Sequence, residues 1–229
     1  MRYKDILLHC GPVPGADSRL AVALDLARRH EAHLTAVFVH DIPDSVFFGD
    51  AGFGSATAML DVMEKVRADL AAAEGAQRAA FDDALRANGL RGDWRSAEGR
   101  TGQLLALHAR YADVLVTAQP GGKGTGEGVG DDAVVAPMLS AGRPVIAVPH
   151  SGKFEAVGRT VLLAWNASRE SARAANDALP ILAGAEKVRV LTIDPKDGVG
   201  GHGDAVAGQM QRDVRARLDA VPADAVLGI

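Results

Sequence analysis

The chain has 229 residues, 48% of them hydrophobic, with a net charge of -4 and a pI near 6.0. That supplies apolar material for one large core or two small ones. It offers no basic face of the kind nucleic acid selects and no run near the ~20 apolar residues that a membrane helix needs. Cys10 is the only cysteine, so no internal disulfide can form and a reducing, cytoplasmic setting is expected.

In chain order, Asp5 to Cys10 (DILLHC) reads as a buried strand, and Gly11 to Gly15 as a Gly/Pro turn. Ser18 is expected to cap a helix in which Leu20, Leu24 and Ala27 recur at helical spacing. Arg28, Arg29 and His30 suit the negative end of its dipole. His33 to His40 (HLTAVFVH) reads as the second strand. Residues 41–60 form a loop whose Phe47, Phe48 and Phe53 are expected to cover a crevice or a partner surface. A long helix follows, with Met63, Val66, Leu70, Ala73, Ala80 and Leu85 along one stripe, ended by Gly89. Residues 93–97 read as a weak strand, and Thr101 as the cap of a short helix bearing Leu104, Leu107 and Tyr111. Asp113 to Thr117 (DVLVT) reads as a strong buried strand, 118–130 as a glycine-rich loop, Asp131 to Ala141 as a helix, and Pro144 to Val148 as the fifth strand.

Strands alternating with helices imply parallel pairing through right-handed crossovers. Strands that are apolar throughout, rather than alternating, imply helices on both faces of the sheet. The plan then starts again. DILLHC matches TVLLAW and HLTAVFV matches KVRVLTI, both at an offset of about 155 residues, and the helix after Ser18 matches one after Ser168. The expected organisation is one complete unit over 1–150 and an incomplete second copy over 151–229. In that copy, Asp204 to Ala220 reads as a helix and Ala225 to Ile229 as a final apolar run. Residues 158–195 are too few to bury a core alone and are expected to dock on the first unit through Val161, Leu163, Val190 and Ile193. Pro180 should kink its helix or sit where a missing N–H does no harm.

Four segments, YKDILLHC, AHLTAVFVHD, YADVLVTA and RPVIAVP, together with GRTVLLAWNASRESARAANDALP, resemble the universal stress protein family in order and spacing. The resemblance implies a five-stranded parallel sheet in the order 3-2-1-4-5, flanked by helices, of the adenine-nucleotide alpha-hydrolase-like type. It also implies a homodimer formed through the last strand, here Pro144 to Val148, and a stress-linked role. Many members bind ATP and others do not. Binders carry an acidic-Gly-Ser turn after the first strand and a loop of the form Gly-x2-Gly-x9-Gly-Ser/Thr. If a nucleotide binds, the resemblance marks Cys10, Gly11, Val39, Gly121, Gly122, Gly124, Asn166 and Ser168 as its contacts.

The chain departs from that pattern. Cys10-Gly11-Pro12 lacks the acidic residue. Gly121 and Gly124 fit the first pair of glycines, but Val134 and Val135 stand where the later glycine and hydroxyl belong. Asp131 and Asp132 add negative charge where a phosphate wants backbone donors, and Lys123 is the one cation of the loop. Elsewhere the ordinary structural roles are favoured. Cys10 is expected to be a small packed residue, Asn166 and Ser168 helix-capping residues, and Trp165 a packing residue. His9, His30, His33 and His40 lack metal-ligand spacing, and no catalytic constellation stands out. The expectation is a non-catalytic, stress-responsive protein acting through protein contacts, without a cofactor, nucleic acid or membrane. An ATP or adenine-nucleotide sensor is the alternative.

Overall fold

The computed structural model describes residues 2–13, 15–42, 56–119, 132–166 and 168–191. Expectations for Phe47, Phe48, Phe53, Gly121, Gly122, Lys123, Gly124, Asp131, Ile193 and the 204–229 tail lie outside these residues. The chain divides into two compact units, one spanning Tyr3–Glu155 and the other running from Ala156, with Met1–Arg2.

In the first unit the elements are β1 (Asp5–Cys10), α1 (Ala16–His30), β2 (His33–His40), α2 (Ala56–Asn88), β3 (Gly92–Glu98), α3 (Thr101–Ala109), β4 (Val114–Ala118), α4 (Asp132–Ser140) and β5 (Val145–Val148). The five strands form one sheet, ordered β3-β2-β1-β4-β5, and every pairing is parallel. This is the expected order. The central strands are apolar on both sides because each face is covered. On one face Leu7, Val37 and Leu115 pack with Leu105 and Ala109 of α3 and Ala133 of α4. The other face meets α1, whose Val22, Ala23, Leu26 and Ala27 are buried. β3 alternates between half-buried and exposed residues, as an outer strand does, which explains its faint sequence signal.

Several local expectations are corrected. The buried stripe of α1 runs through Arg19, Val22, Ala23, Leu26 and His30, leaving Leu20 and Leu24 half-buried. Ser18 does not cap α1. The helix begins at Ala16 after Gly15, which adopts φ 78°, and Ser18 is buried in the first turn. Its hydroxyl donates to the Gly152 carbonyl (3.5 Å) and accepts from the Phe154 N–H (3.3 Å). Thr101 does not cap α3. It is the first helical residue, and its N–H donates to Asp41 Oδ2 (2.8 Å), so the cap comes from the turn after β2. On α2, Ala80 is exposed, while Phe81 is buried with Leu70 and Leu85.

In the second unit, β6 (Thr160–Ala164) pairs in parallel with β7 (Lys187–Leu191), joined through α5 (Arg169–Asp177) and α6 (Leu179–Leu182). Leu163 and Ala175 are its buried pair, with Trp165 and Val190 packed against them. Pro180 lies in the first turn of α6, where no N–H is needed. None of the described helices is long and apolar enough to cross a membrane.

Candidate functional site

In an open parallel sheet, ligands collect at the carboxyl ends of the strands, where the chain order reverses. Here that point lies between β1 and β4, and the residues after Cys10 stand there. His9 Nδ1 and Thr117 Oγ1 join the two strands at 2.9 Å. Arg19 reaches beneath them, with Nε donating to the His9 carbonyl and a terminal nitrogen to the Val13 carbonyl, both at 3.4 Å. Burial, aided by the Arg19 charge, lowers the His9 pKa to about 3. Burial also pushes the Cys10 thiol up to about 12, against the opposing pull of Arg19. Near neutral pH His9 is therefore uncharged and Cys10 is a closed-in thiol, which fits the packed role expected of it and gives no thiolate nucleophile.

The next residue is Gly11. Its N–H donates to Gln77 Oε1 (3.1 Å), and Gln77 Nε2 donates back to its carbonyl (2.8 Å). One turn earlier on α2, Glu74 accepts from His40 Nε2 (2.7 Å) and from Trp94 Nε1 (3.0 Å). Partial burial pushes the Glu74 carboxyl upward, but the bonds from Trp94, His40 and Ser96 outweigh it and hold the group below its usual range. A cavity of about 540 Å³ opens beside the start of α1, lined by Val13, Gly15, Asp17, Ser18, Lys153 and Phe154 among others.

Of the positions marked in the sequence, Cys10 and Gly11 lie at the end of β1. Val39 lies on the adjoining strand, but its side chain is buried in the core with Leu7 and Leu105. Val134 and Val135 fall in the first turn of α4, one buried and one exposed. Asp132 opens that helix and packs against Gly102, where an added Cβ would stand 2.7 Å from the carboxylate. A negative group thus sits near the start of both α3 and α4. In the second unit, Asn166 Oδ1 accepts from the Ser168 N–H and Ser168 Oγ accepts from the Ser171 N–H, each at 3.1 Å. Ser168 caps α5, as expected, while Asn166 closes the turn that precedes it rather than capping the helix. His33 meets Asp93 and His40 meets Glu74, and no group of three ligating side chains forms a metal site among the described residues.

Sequence reasoning missed Gln77, Glu74 and Arg19. Gln77 and Glu74 look like solvent-facing helix residues, and their partners lie far away in the chain. Arg19 carries a cue only in hindsight, as a charged residue in phase with Val22, Ala23 and Leu26.

The geometry defines an open α/β sheet with a crevice at its topological switch. Neither a family model nor a curated protein matches the chain, but solved structures do. A universal stress protein from Archaeoglobus fulgidus DSM 4304 aligns over 93% of this chain and 72% of its own, at 13% identity and a TM-score of 0.59. UspA from Lactobacillus plantarum aligns over 65% of this chain and 99% of its own, at 20% identity and a TM-score of 0.49. A universal stress protein family member from Burkholderia pseudomallei aligns over 64% and 96%, at 23% identity and a TM-score of 0.41. The chain has the universal stress protein fold.

Proposed function

We propose that this is a non-catalytic, stress-responsive protein of the universal stress protein type, acting in the cytoplasm through contacts with a second copy and with other proteins. The observation that carries this reading is the apolar surface beside β5. Val135, Met138 and Leu139 on α4, Leu107 on α3 and Tyr111 in the turn after α3 are exposed large apolar residues. The α4 residues lie beside an outer strand whose Val145 and Ile146 are half-buried and whose Ala147 is exposed. An open apolar edge with an apolar margin favours a partner. The inert state of His9 and Cys10 at the carboxyl ends supports the absence of catalysis.

Sedimentation at micromolar concentration tests the association. The expected result is a dimer, weakened at least tenfold by Ala147→Lys, which places a charge on the exposed edge without touching the core. A monomer at every concentration overturns the reading.

The nucleotide alternative has one observation in its favour, the bare glycine at the switch point. Against tight ATP binding stands the Asp132 carboxylate between two helix starts, since like charges repel a triphosphate there. Calorimetric titration with ATP, with and without magnesium, should give a dissociation constant weaker than about 10 μM.

A further inference from the structure

At the opposite end of the first unit, a cavity of about 630 Å³ opens between the last turns of α1 and α2 and the chain leading into β1, β2 and β3. Its wall is built from the two turns by which the helices return to the sheet. Each turn holds one left-handed residue, Glu31 at φ 53° after α1 and Gly89 at φ 63° after α2. The Ala32 N–H donates to the Ala27 carbonyl (2.9 Å), and the Leu90 N–H to the Leu85 carbonyl (3.0 Å). Helix-end carbonyls that would repel an anion are therefore already bonded. A Cβ added to Gly89 would meet nothing within 4 Å, so the space before that turn is open.

Three cations, Lys4, Arg28 and Arg91, line this space against one carboxylate, Glu31. His33 lines it too, but its Nε2 meets Asp93 Oδ2 at 3.0 Å. The nearby acids are engaged elsewhere. Asp25 holds Arg29 at 2.7 Å and stands 3.9 Å from Arg28. Asp113 Oδ2 accepts from the Lys4 and Asp5 amides at 2.6 and 3.1 Å. The side chains of Lys4 and Arg91 have no carboxylate partner among the described residues. Nor does a helix dipole account for them, since both stand in the leads into strands rather than in a last helical turn.

We propose that this cavity is an anion site at the amino ends of the strands, taking a small ligand with more than one phosphate group. Arg28 and Arg91 supply planar forks that match phosphate oxygens, and Lys4 supplies a point charge. Separate cations reward a ligand with separate anionic groups. All three are exposed, so salt screens the attraction and occupancy follows ligand concentration and ionic strength. The site lies across the sheet from the crevice at the switch and shares no residue with it. It goes beyond the association reading and is independent of it, since the sedimentation result can fail while this site stands, and the reverse.

Pyrophosphate is titrated into the full chain at low salt while the backbone amide resonances are followed. Inorganic phosphate, and sodium chloride of matched ionic strength, are the controls. Pyrophosphate should reach half-saturation below roughly 1 mM, moving Ala32, Gly89 and Leu90 and leaving Gly11 and Val13 in place. Inorganic phosphate should bind at least about fivefold more weakly. The double variant Lys4→Gln/Arg91→Gln should weaken pyrophosphate at least about tenfold, and Lys4→Arg/Arg91→Lys, which keeps both charges, should hold most of the affinity. No saturable response overturns the proposal, as does a response centred on Gly11 and Val13 or an equal response to chloride. Unchanged affinity in the folded glutamine variant also defeats it. Inorganic phosphate binding as tightly as pyrophosphate overturns the need for more than one phosphate group.

Discussion

Leu7 and Leu162 hold matching places in two β–α–β stretches of the same plan, yet Leu7 is 1% exposed and Leu162 is 62% exposed. Val37 and its counterpart Leu191 repeat the contrast, at 0% and 40%. In the first unit these side chains point at α3 and α4, which close that face of the sheet. In the second unit β6 and β7 have α5 and α6 beside them, and no second helical layer is present among the described residues. An apolar strand sequence therefore specifies a strand, while its worth to stability depends on whether elements far along the chain return to cover it.

The largest effect should separate the two leucines. Leu7→Ala should cost about 2–5 kcal/mol, and Leu162→Ala less than about 1 kcal/mol. Each unit carries one tryptophan, Trp94 in the first and Trp165 in the second. Denaturant titration of a Trp165→Phe background reports the first unit, and of a Trp94→Phe background the second. Similar costs at the two sites would erase the contrast.

A second difference lies two residues after Leu7, where His9 of the first unit corresponds to Ala164 in the second. The unfolded imidazole titrates at 6.5 and the folded one near 3. Between these values the unfolded chain holds a proton that the folded chain refuses. Stability is complete above pH 6.5 and falls as pH drops toward 3, by up to about 1.4 kcal/mol per unit. The double variant His9→Leu/Thr117→Val removes the imidazole without orphaning Thr117. Between pH 7 and 4 it should lose measurably less stability than the unmodified chain, as read by the Trp94 midpoint.

The smallest effect concerns the two serines at matching helix starts. Ser168 is an N-cap, and Ser168→Ala should destabilise the second unit by about 1 kcal/mol, seen in the Trp165 transition. Ser18 is no cap, so Ser18→Ala should leave the helicity of α1 unchanged and loosen residues 152–154, measured as faster amide exchange at Phe154.

Strand identity was legible because DILLHC, HLTAVFVH, DVLVT and PVIAV are compact apolar runs divided by turn residues, while the strand order followed from the family resemblance. Helix phase and caps were less so. Ser18 and Thr101 have the right chemistry for caps, but Gly15 starts α1 a turn earlier and Asp41 reaches Thr101 from 60 residues away. Phe81 escaped because Ala80 also fits a helical stripe. The Gln77–Gly11 pairing spans 66 residues and leaves no local trace, since a glutamine on a long helix reads as solvent-facing until the sheet brings the turn after β1 beneath it.

The register of β1 carries a consequence for synthesis. One edge pairs with β2, while the other pairs with β4, and the Lys4 and Asp5 amides bond to Asp113, more than 100 residues later. At 5–20 residues per second on the ribosome, that second edge stays open for roughly 5–20 s. Throughout that interval the nascent chain presents an unpaired strand made of Ile6, Leu7 and Leu8, the kind of segment that holding chaperones bind. Variants that weaken β4 should therefore lower the yield of intact protein in cells before they lower the stability of the finished molecule.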